Sequence, residues 1–431
     1  LLAWAPLAFG AAGDHEQSEF AVADPQPPTV QSEPLTLDAA VALAIERAPD
    51  LQARQAGLDA AQSLTTSAGR LPDPELVLAL DNLPVEGDDA YSTTRDFMTM
   101  RRIGVMQEFP RGAKRRLRHD YAEAQSELAG AELEEARLTV AREVAEAWIR
   151  RATAESTLAE LRTLAPELEL QASAAQAALT AGRESAAQAL AAQTAVVRLQ
   201  NRLTAVEGEA RRASLDLERW LHADAERPLA PMPALDALPT PAASLVASIR
   251  EHSSLQPYDA RVDAARLDIE LAKAERRPDW SAELGYSKRG PDYSDMVSLE
   301  FRIGLALNTR NRQKPVIAAK SAELRRLEAD RDAEIRMHLA ELQQTLTDWE
   351  LLGRTLERYD AELLPLARDR TRAALATYRA GGGDLRLALE SFEQEIETRI
   401  EHASLTSERG RAWAYLRYVV PQHLEHRQPE K

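Results

Sequence analysis

Cysteine is absent from the 431 residues. No disulfide, thiolate metal centre or lipidated N-terminal cysteine is therefore expected. Aromatic residues are scarce, at 5% of the chain, while Ala, Leu, Glu and Arg dominate, a balance that favours long helices. No apolar run reaches the 18 residues of a membrane-crossing helix, which leaves a transmembrane β-barrel open. Positive charge is in deficit: 53 Lys and Arg face 69 Asp and Glu, a net charge of −16. Such a surface repels phosphates, so no nucleic-acid partner is expected, whereas traffic of cations is compatible with it. Catalytic patterns are missing too. No Gly-x-Ser-x-Gly, paired acid or nucleophile set stands out, and the eight histidines are scattered, with His423 and His426 the only close pair. Neither enzyme activity nor a cofactor is expected.

What is present is a chain written twice. "LAPELELQASAAQAALTAGRES" places Pro166 sixteen residues before Gly182, and "LLPLARDRTRAALATYRAGGGD" places Pro365 sixteen before Gly381. "AIERAPDLQARQAGLDAAQ" (Ala44–Gln62) answers "SIREHSSLQPYDARVDAAR" (Ser248–Arg266) at an offset of 204, which also pairs Pro74 with Pro278 and Leu80 with Leu284. "RIGV" (Arg102–Val105) answers "RIGL" (Arg302–Leu305) at 200, and the proline and glycine pairs follow at 199. Offsets so nearly constant mark a tandem duplication, split near Arg227–Pro241. The expected divisions are 1–36, a signal-peptide remnant (apolar run Leu1–Ala12) with a Pro-rich linker; 37–231, the first repeat; 232–420, the second; and 421–431, a polar tail. A disordered tag is the plainer alternative for the N-terminal run.

Each repeat reads as helix, two strands, very long helix, turn and helix. The first helix is predicted over Leu37–Arg70, capped by Thr36 and ended by Pro72 and Pro74. Long helices are predicted over Gly112–Thr180 and Arg312–Ala380, each roughly 100 Å at 1.5 Å per residue. Pro166 and Pro365 should kink them. Leu385, Leu389, Phe392, Ile396, Ile400 and Ala403 recur with coiled-coil spacing. Between the helices the period falls to two, with strands predicted over 75–81 and 95–109, then 279–287 and 296–307. "VSLEFRIGLAL" puts Val297, Leu299, Phe301, Ile303, Leu305 and Leu307 on one face and Ser298, Glu300 and Arg302 on the other. That alternation fits the wet side of an ordinary sheet or the lumen of a membrane barrel. Four strands cannot close a barrel alone, so closure by oligomerisation is the better reading.

The duplicated layout, the two proline–glycine hairpins and "IGVMQEFPRGAKRR" at a strand-to-helix junction resemble the TolC family of outer-membrane efflux channels. The resemblance covers roughly residues 37–420, and "QEFPRGAKRR" is most similar to the heavy-metal, CzcC-like and CusC-like branch. It implies a mainly α protomer with a membrane β-barrel. Three protomers of four strands each would make one twelve-stranded barrel and a long α-helical periplasmic tunnel. The implied setting is the outer membrane of a Gram-negative bacterium. Implied partners are a homotrimer, outer-membrane lipid, a periplasmic adaptor and an inner-membrane RND transporter, the channel being a passive gated conduit. Val297, Leu299, Phe301, Ile303 and Leu305 would then face lipid. Ala181, Gly182 and Arg183, with Ala380, Gly381 and Gly382, would be adaptor-docking tips; a bare helix–helix turn is the plainer reading.

By the same resemblance Tyr378 matches a tyrosine that helps close the channel mouth. The family's partner positions for it are Gly383 and Gln188 here, a departure from the usual ionic lock. Glu390 aligns with an acidic position lining the constriction, against the alternative of a solvated helix carboxylate. Met98, Met100 and Met106 share a predicted strand face; thioethers suit soft metals but equally fill apolar space, and no metal ligand is assigned. The basic run Pro110–His119 fits lipid phosphates or a solvated helix start. A drug or organic-compound channel of the same family is the alternative substrate reading. A soluble coiled-coil scaffold or adaptor is the rival class, although no lipoyl-like β domain is visible in the sequence.

Overall fold

The computed structural model describes residues 33–420. The expected signal remnant, most of the Pro-rich linker, the polar tail and His423 and His426 lie outside them. Helix α1 (Leu37–Arg47) begins at Thr36, whose hydroxyl accepts from the Ala39 N–H at 3.2 Å. It is not continuous to Arg70 as predicted. The chain breaks at Ala48 and restarts as α2 (Pro49–Ala68). The physical reason lies in Pro49, which has no N–H to donate and forces Ala48 out of the helical region, to φ −58° and ψ 117°.

Strands β1 (Glu75–Asp81) and β2 (Met100–Phe109) follow. Helix α3 (Gly112–Thr180) then runs 69 residues without interruption, with Pro166 inside it. Helix α4 (Ala186–Leu221) returns alongside. The second repeat opens with the short α5 (Ala242–Ala247) and α6 (Gln256–Ala274). Strands β3 (Trp280–Lys288) and β4 (Met296–Ile303) come next. Its long helix is not one rod. α7 (Gln313–Arg358) passes into a π-helical turn, Tyr359–Leu363, before α8 (Leu364–Arg379). There the Leu364 N–H reaches Tyr359 O, one residue further back than in an α-helix. The widened turn precedes Pro365, whose ring would otherwise crowd the carbonyl four residues earlier. Helix α9 (Leu385–Arg417) closes the described chain.

Strand β3 is shifted by one residue at each end from the expected 279–287, and two other strand bounds differ by more. β2 starts at Met100 rather than residue 95, because Asp96 Oδ1 accepts from the Met98 and Thr99 N–H groups at 2.7 and 3.1 Å and holds a turn there. β4 stops at Ile303 rather than 307. Its partner β3 begins at Trp280, opposite Ile303, and beyond that only the Gly304 N–H finds a carbonyl, Asp279 O at 3.4 Å.

The largest core joins α1, α3, α4 and α9 around Trp148, Ile149, Leu221 and Trp413. Three indoles pin irregular segments to it. Trp148 Nε1 donates to Leu35 O, Trp349 to Leu235 O and Trp413 to Ala237 O, at 3.1, 3.0 and 2.8 Å. Leu35 also bridges to Leu229. The junction between the repeats is thus tied down rather than a free linker. A second core runs toward the hairpin turns through Leu161, Leu168, Leu385, Leu389, Phe392 and Ile396. That is the coiled-coil seam read from sequence spacing.

Candidate functional site

Two surfaces stand out, the sheet and the hairpin turns. The sheet is antiparallel in the order β1-β2-β3-β4. Its register sets Leu76 and Leu78 against Val105 and Ile103, these against Leu284 and Tyr286, and these in turn against Leu299 and Val297. All lie on one face with Phe301 and Ile303, and each is 46–72% exposed. Arg101, Gln107 and Lys288 interrupt this apolar face only toward its ends. At the helix-proximal end Phe109 stacks on Trp280 at 4.3 Å. Leu305 lies beyond β4 and is 75% exposed.

The opposite face carries the charges. Glu283 is almost fully buried between two guanidinium groups, Arg102 at 3.0 Å and Arg302 at 2.8 Å. Arg102 also approaches Asp81 at 3.1 Å, and Arg302 approaches Glu300 at 2.7 Å. Burying a carboxylate is tolerable because both cations meet it directly. The five groups sum to −1. Met100 and Met106 lie on this face as well, but Met98 does not, since it precedes the strand. The methionine set is therefore split.

The hairpin turns are built alike. After α3, the Arg183 N–H bonds Ala178 O and the Gly182 N–H bonds Leu179 O; after α8, Gly382 bonds Thr377 O and Gly381 bonds Tyr378 O. Both are Schellman turns, with Gly182 at φ +68° and Gly381 at φ +76°. A Cβ on either glycine would meet nothing within 4 Å, so the backbone and not space requires glycine. Ala181, Arg183 and Ala380 flank these glycines at the exposed turns.

Tyr378 donates to Glu184 Oε1 at 3.3 Å, linking the second hairpin to the first. Glu184 was not singled out in the sequence. Gln188 is occupied elsewhere: its side chain accepts from the Ser185 N–H at 3.1 Å while the Ser185 hydroxyl accepts from the Gln188 N–H, a capping box that starts α4. A Tyr378–Gln188 contact is absent within the protomer. Glu390 is exposed and paired with Arg386 one turn earlier at 3.3 Å, beside the buried Leu389. The basic run is also engaged. Lys114, 2% exposed, meets Asp279 at 2.7 Å and Glu275 at 3.2 Å, and Arg118 joins Glu275 at 3.3 Å. These contacts tie the start of α3 to the second repeat, so Lys114 is not presented to lipid phosphates.

Sequence reasoning missed one buried cluster. His252 and His338, 86 residues apart, meet at 2.8 Å between Nδ1 and Nε2. His252 Nε2 faces Leu245 O at 3.0 Å, and Tyr415 Oη lies 3.4 Å from His338 Nδ1. A carbonyl only accepts, so His252 carries its proton on Nε2 and His338 donates to it. Burial, reinforced by His338, lowers the His252 pKa to about 4; burial and then Arg142 lower that of His338. Among the described residues, His119, Asp120 and Glu123 are the one group of three placed to share an ion, and all three are exposed.

Residues 40–221 match the outer membrane efflux protein family. No curated protein matches the chain in sequence. Solved structures do match in fold. CusC, described with conformational changes accompanying transmembrane channel formation, aligns with a TM-score of 0.75 at 14% identity, over 89% of this chain and 92% of its own. A membrane protein from Pseudomonas aeruginosa gives 0.76 at 16%, over 89% and 90%. The outer membrane protein VceC from Vibrio cholerae gives 0.74 at 17%, over 89% and 95%. At these identities the likeness is one of fold.

Proposed function

Taking as premise a chain that matches the outer membrane efflux proteins over its first repeat and has the TolC-like channel fold throughout its described length, we propose that it is the outer-membrane channel subunit of a tripartite efflux pump. The observation that carries this reading is the sheet. Its apolar face is exposed, the central charges of its other face are paired with one another, and β1 and β4 are open edges. In lipid every ladder group must be paired, so the edges must meet those of further copies. Three copies close a twelve-stranded barrel, the apolar face meets lipid, and the helices extend into the periplasm. Val297, Leu299, Phe301, Ile303 and Leu305 are its lipid-facing residues. The exposed glycine turns are the docking tips for a periplasmic adaptor coupled to an inner-membrane RND transporter, and Tyr378 and Glu390 act at the channel mouth.

The cargo proposed is heavy-metal cations. Support comes from the net charge of −16 and the small acidic excess on the charged face of the sheet. A strain lacking the chain should become sensitive to heavy-metal salts. Complementation with Gly381→Ile should leave trimers in the outer membrane without restoring resistance, because a β-branched residue resists the positive φ and adds bulk at the tip. Sensitivity to dyes and antibiotics alone would instead assign an organic-compound channel.

A further inference from the structure

Beyond the trimer, on which this inference rests, the internal duplication fixes how neighbouring strands meet. We propose that β4 of one protomer continues past Ile303 and pairs with β1 of the next copy, with Leu305 opposite Leu80 and Leu307 opposite Leu78.

The template is already inside the protomer. β2 ends the first repeat's strand pair, β3 begins the second's, and they pair antiparallel from Arg101↔Lys288 to Phe109↔Trp280. Each pair of numbers sums to 389. β4 is the repeated counterpart of β2 at an offset of +200, through "RIGV" and "RIGL". β1 is the counterpart of β3 at −204, through Pro74 and Pro278, Leu80 and Leu284. Transposing both gives 389 + 200 − 204 = 385, which sets residue 305 opposite residue 80.

Three observations not used in that arithmetic agree with it. First, the register joins like faces. The apolar residues of β4 are odd-numbered and those of β1 even-numbered, so an odd sum places leucine beside leucine on one side. Second, Leu305 and Leu307 are 75% and 87% exposed, among the most exposed leucines in the described chain. In the single protomer residues 307–312 form turns, because β3 has ended and no strand remains for them to pair with. β2 shows the full-length alternative: its residues Gln107–Phe109 pair with β3 alone, beyond the reach of β1. Third, charge is complementary. Lys114 meets Asp279 across the β2–β3 junction at 2.7 Å. Their counterparts are Lys314 (114 + 200) and Glu75 (279 − 204), again opposite in sign. Both are exposed, and neither side chain has a partner among the described residues. A neighbouring copy brings them together in this register, and a slip of two residues, the smallest that preserves the faces, separates them.

The 431 residues contain no cysteine, so engineered thiols in them report without background. Leu305→Cys combined with Leu80→Cys should give covalent trimers in outer membranes with a short bifunctional thiol reagent. The yield should be about tenfold above Leu305→Cys with Leu78→Cys or Asn82→Cys, since directly opposite Cβ atoms lie about 5 Å apart and diagonal ones about 7–8 Å, a span the shortest reagents bridge poorly. Stronger cross-linking of either slipped pair in intact trimers overturns the register and leaves the trimer standing. A protein that remains monomeric in detergent overturns both, and cross-linking to a different protein overturns the choice of a second copy as the occupant. As an independent arm, Lys314→Glu should lower the trimer's dissociation temperature, and adding Glu75→Lys should restore it. No restoration by the double reversal overturns the ion pair.

Discussion

Leu78 on β1 is 71% exposed and Glu283 on β3 is 2% exposed, while on α9 Leu385 is fully buried and Glu390 is half-exposed. One chain has sorted the same residue types in opposite directions. Along the α9 seam leucine is hidden and Glu390 displayed, as water demands, although Leu387 is 49% exposed and Glu395, held by Arg399, is buried. The sheet displays leucine and hides carboxylate between arginines, which fits the proposed barrel with hydrocarbon outside and a polar interior. On that proposed reading a single sequence specifies two solvents. The boundary between them falls where Phe109 stacks on Trp280 and Lys114 meets Asp279.

The contrast can be broken in several places. The largest effect is expected in the water-facing body, where Trp148→Ala empties the core and removes the bond to Leu35 O. It should cost about 3–5 kcal/mol, read from thermal loss of the helical circular-dichroism signal in detergent. A negligible shift would mean that this collar is not the body's core. Next comes the sheet, whose exposed apolar face is proposed to meet lipid. Phe301→Arg should cost roughly 2–4 kcal/mol near the bilayer midplane, whereas Ser298→Arg on the other face should be far milder. Equal losses of folded protein in lipid vesicles would erase the distinction between the faces.

A third test uses pH. His252 has an ordinary pKa near 6.5 when unfolded and about 4 when folded. Between those values the unfolded chain binds more protons, so this contribution is complete above pH 6.5 and is lost as pH falls toward 4. The loss is at most about 3 kcal/mol. Arg142, Glu251, Glu341 and Tyr415 are the charged and titratable groups that face the pair. The pH dependence of melting should flatten in a His252→Gln, His338→Gln double variant; an unchanged slope would move its origin elsewhere. The smallest effect concerns Glu390. Because Arg386 already offsets its charge, Glu390→Gln should lower cation-over-anion permeability only slightly in planar bilayers, and more at low salt. Unchanged selectivity at low ionic strength would make it a plain surface residue.

The repeated plan, the sheet faces and the glycine turns were legible because they rest on period, offset and local turn chemistry, all of which one strand or one helix displays by itself. The end of the first helix was legible in principle: "RAPD" places Pro49 where the chain breaks. So was the Ser185-x-x-Gln188 capping box, which occupies the side chain assigned to the gate. The π turn was not legible. Pro166 and Pro365 stand alike in sequence, yet only the second is preceded by a widened turn. The His252–His338 contact was hidden for a different reason, since residues 86 positions apart meet only through tertiary packing.

The contacts between the two hairpins of one protomer have a mechanical consequence. Tyr378 holds Glu184, Arg379 holds Glu167, Arg198 holds Glu393 at 2.6 Å and Arg399 holds Glu160 at 3.1 Å. Singly, such surface links are weak. Spread along the rods, they lash two hairpins into one lever. In the proposed trimer, a ring of three such subunits would have six tips but only three independent moving parts. Its aperture would widen with threefold rather than sixfold kinematics, and a push on either hairpin of a subunit would carry the other with it.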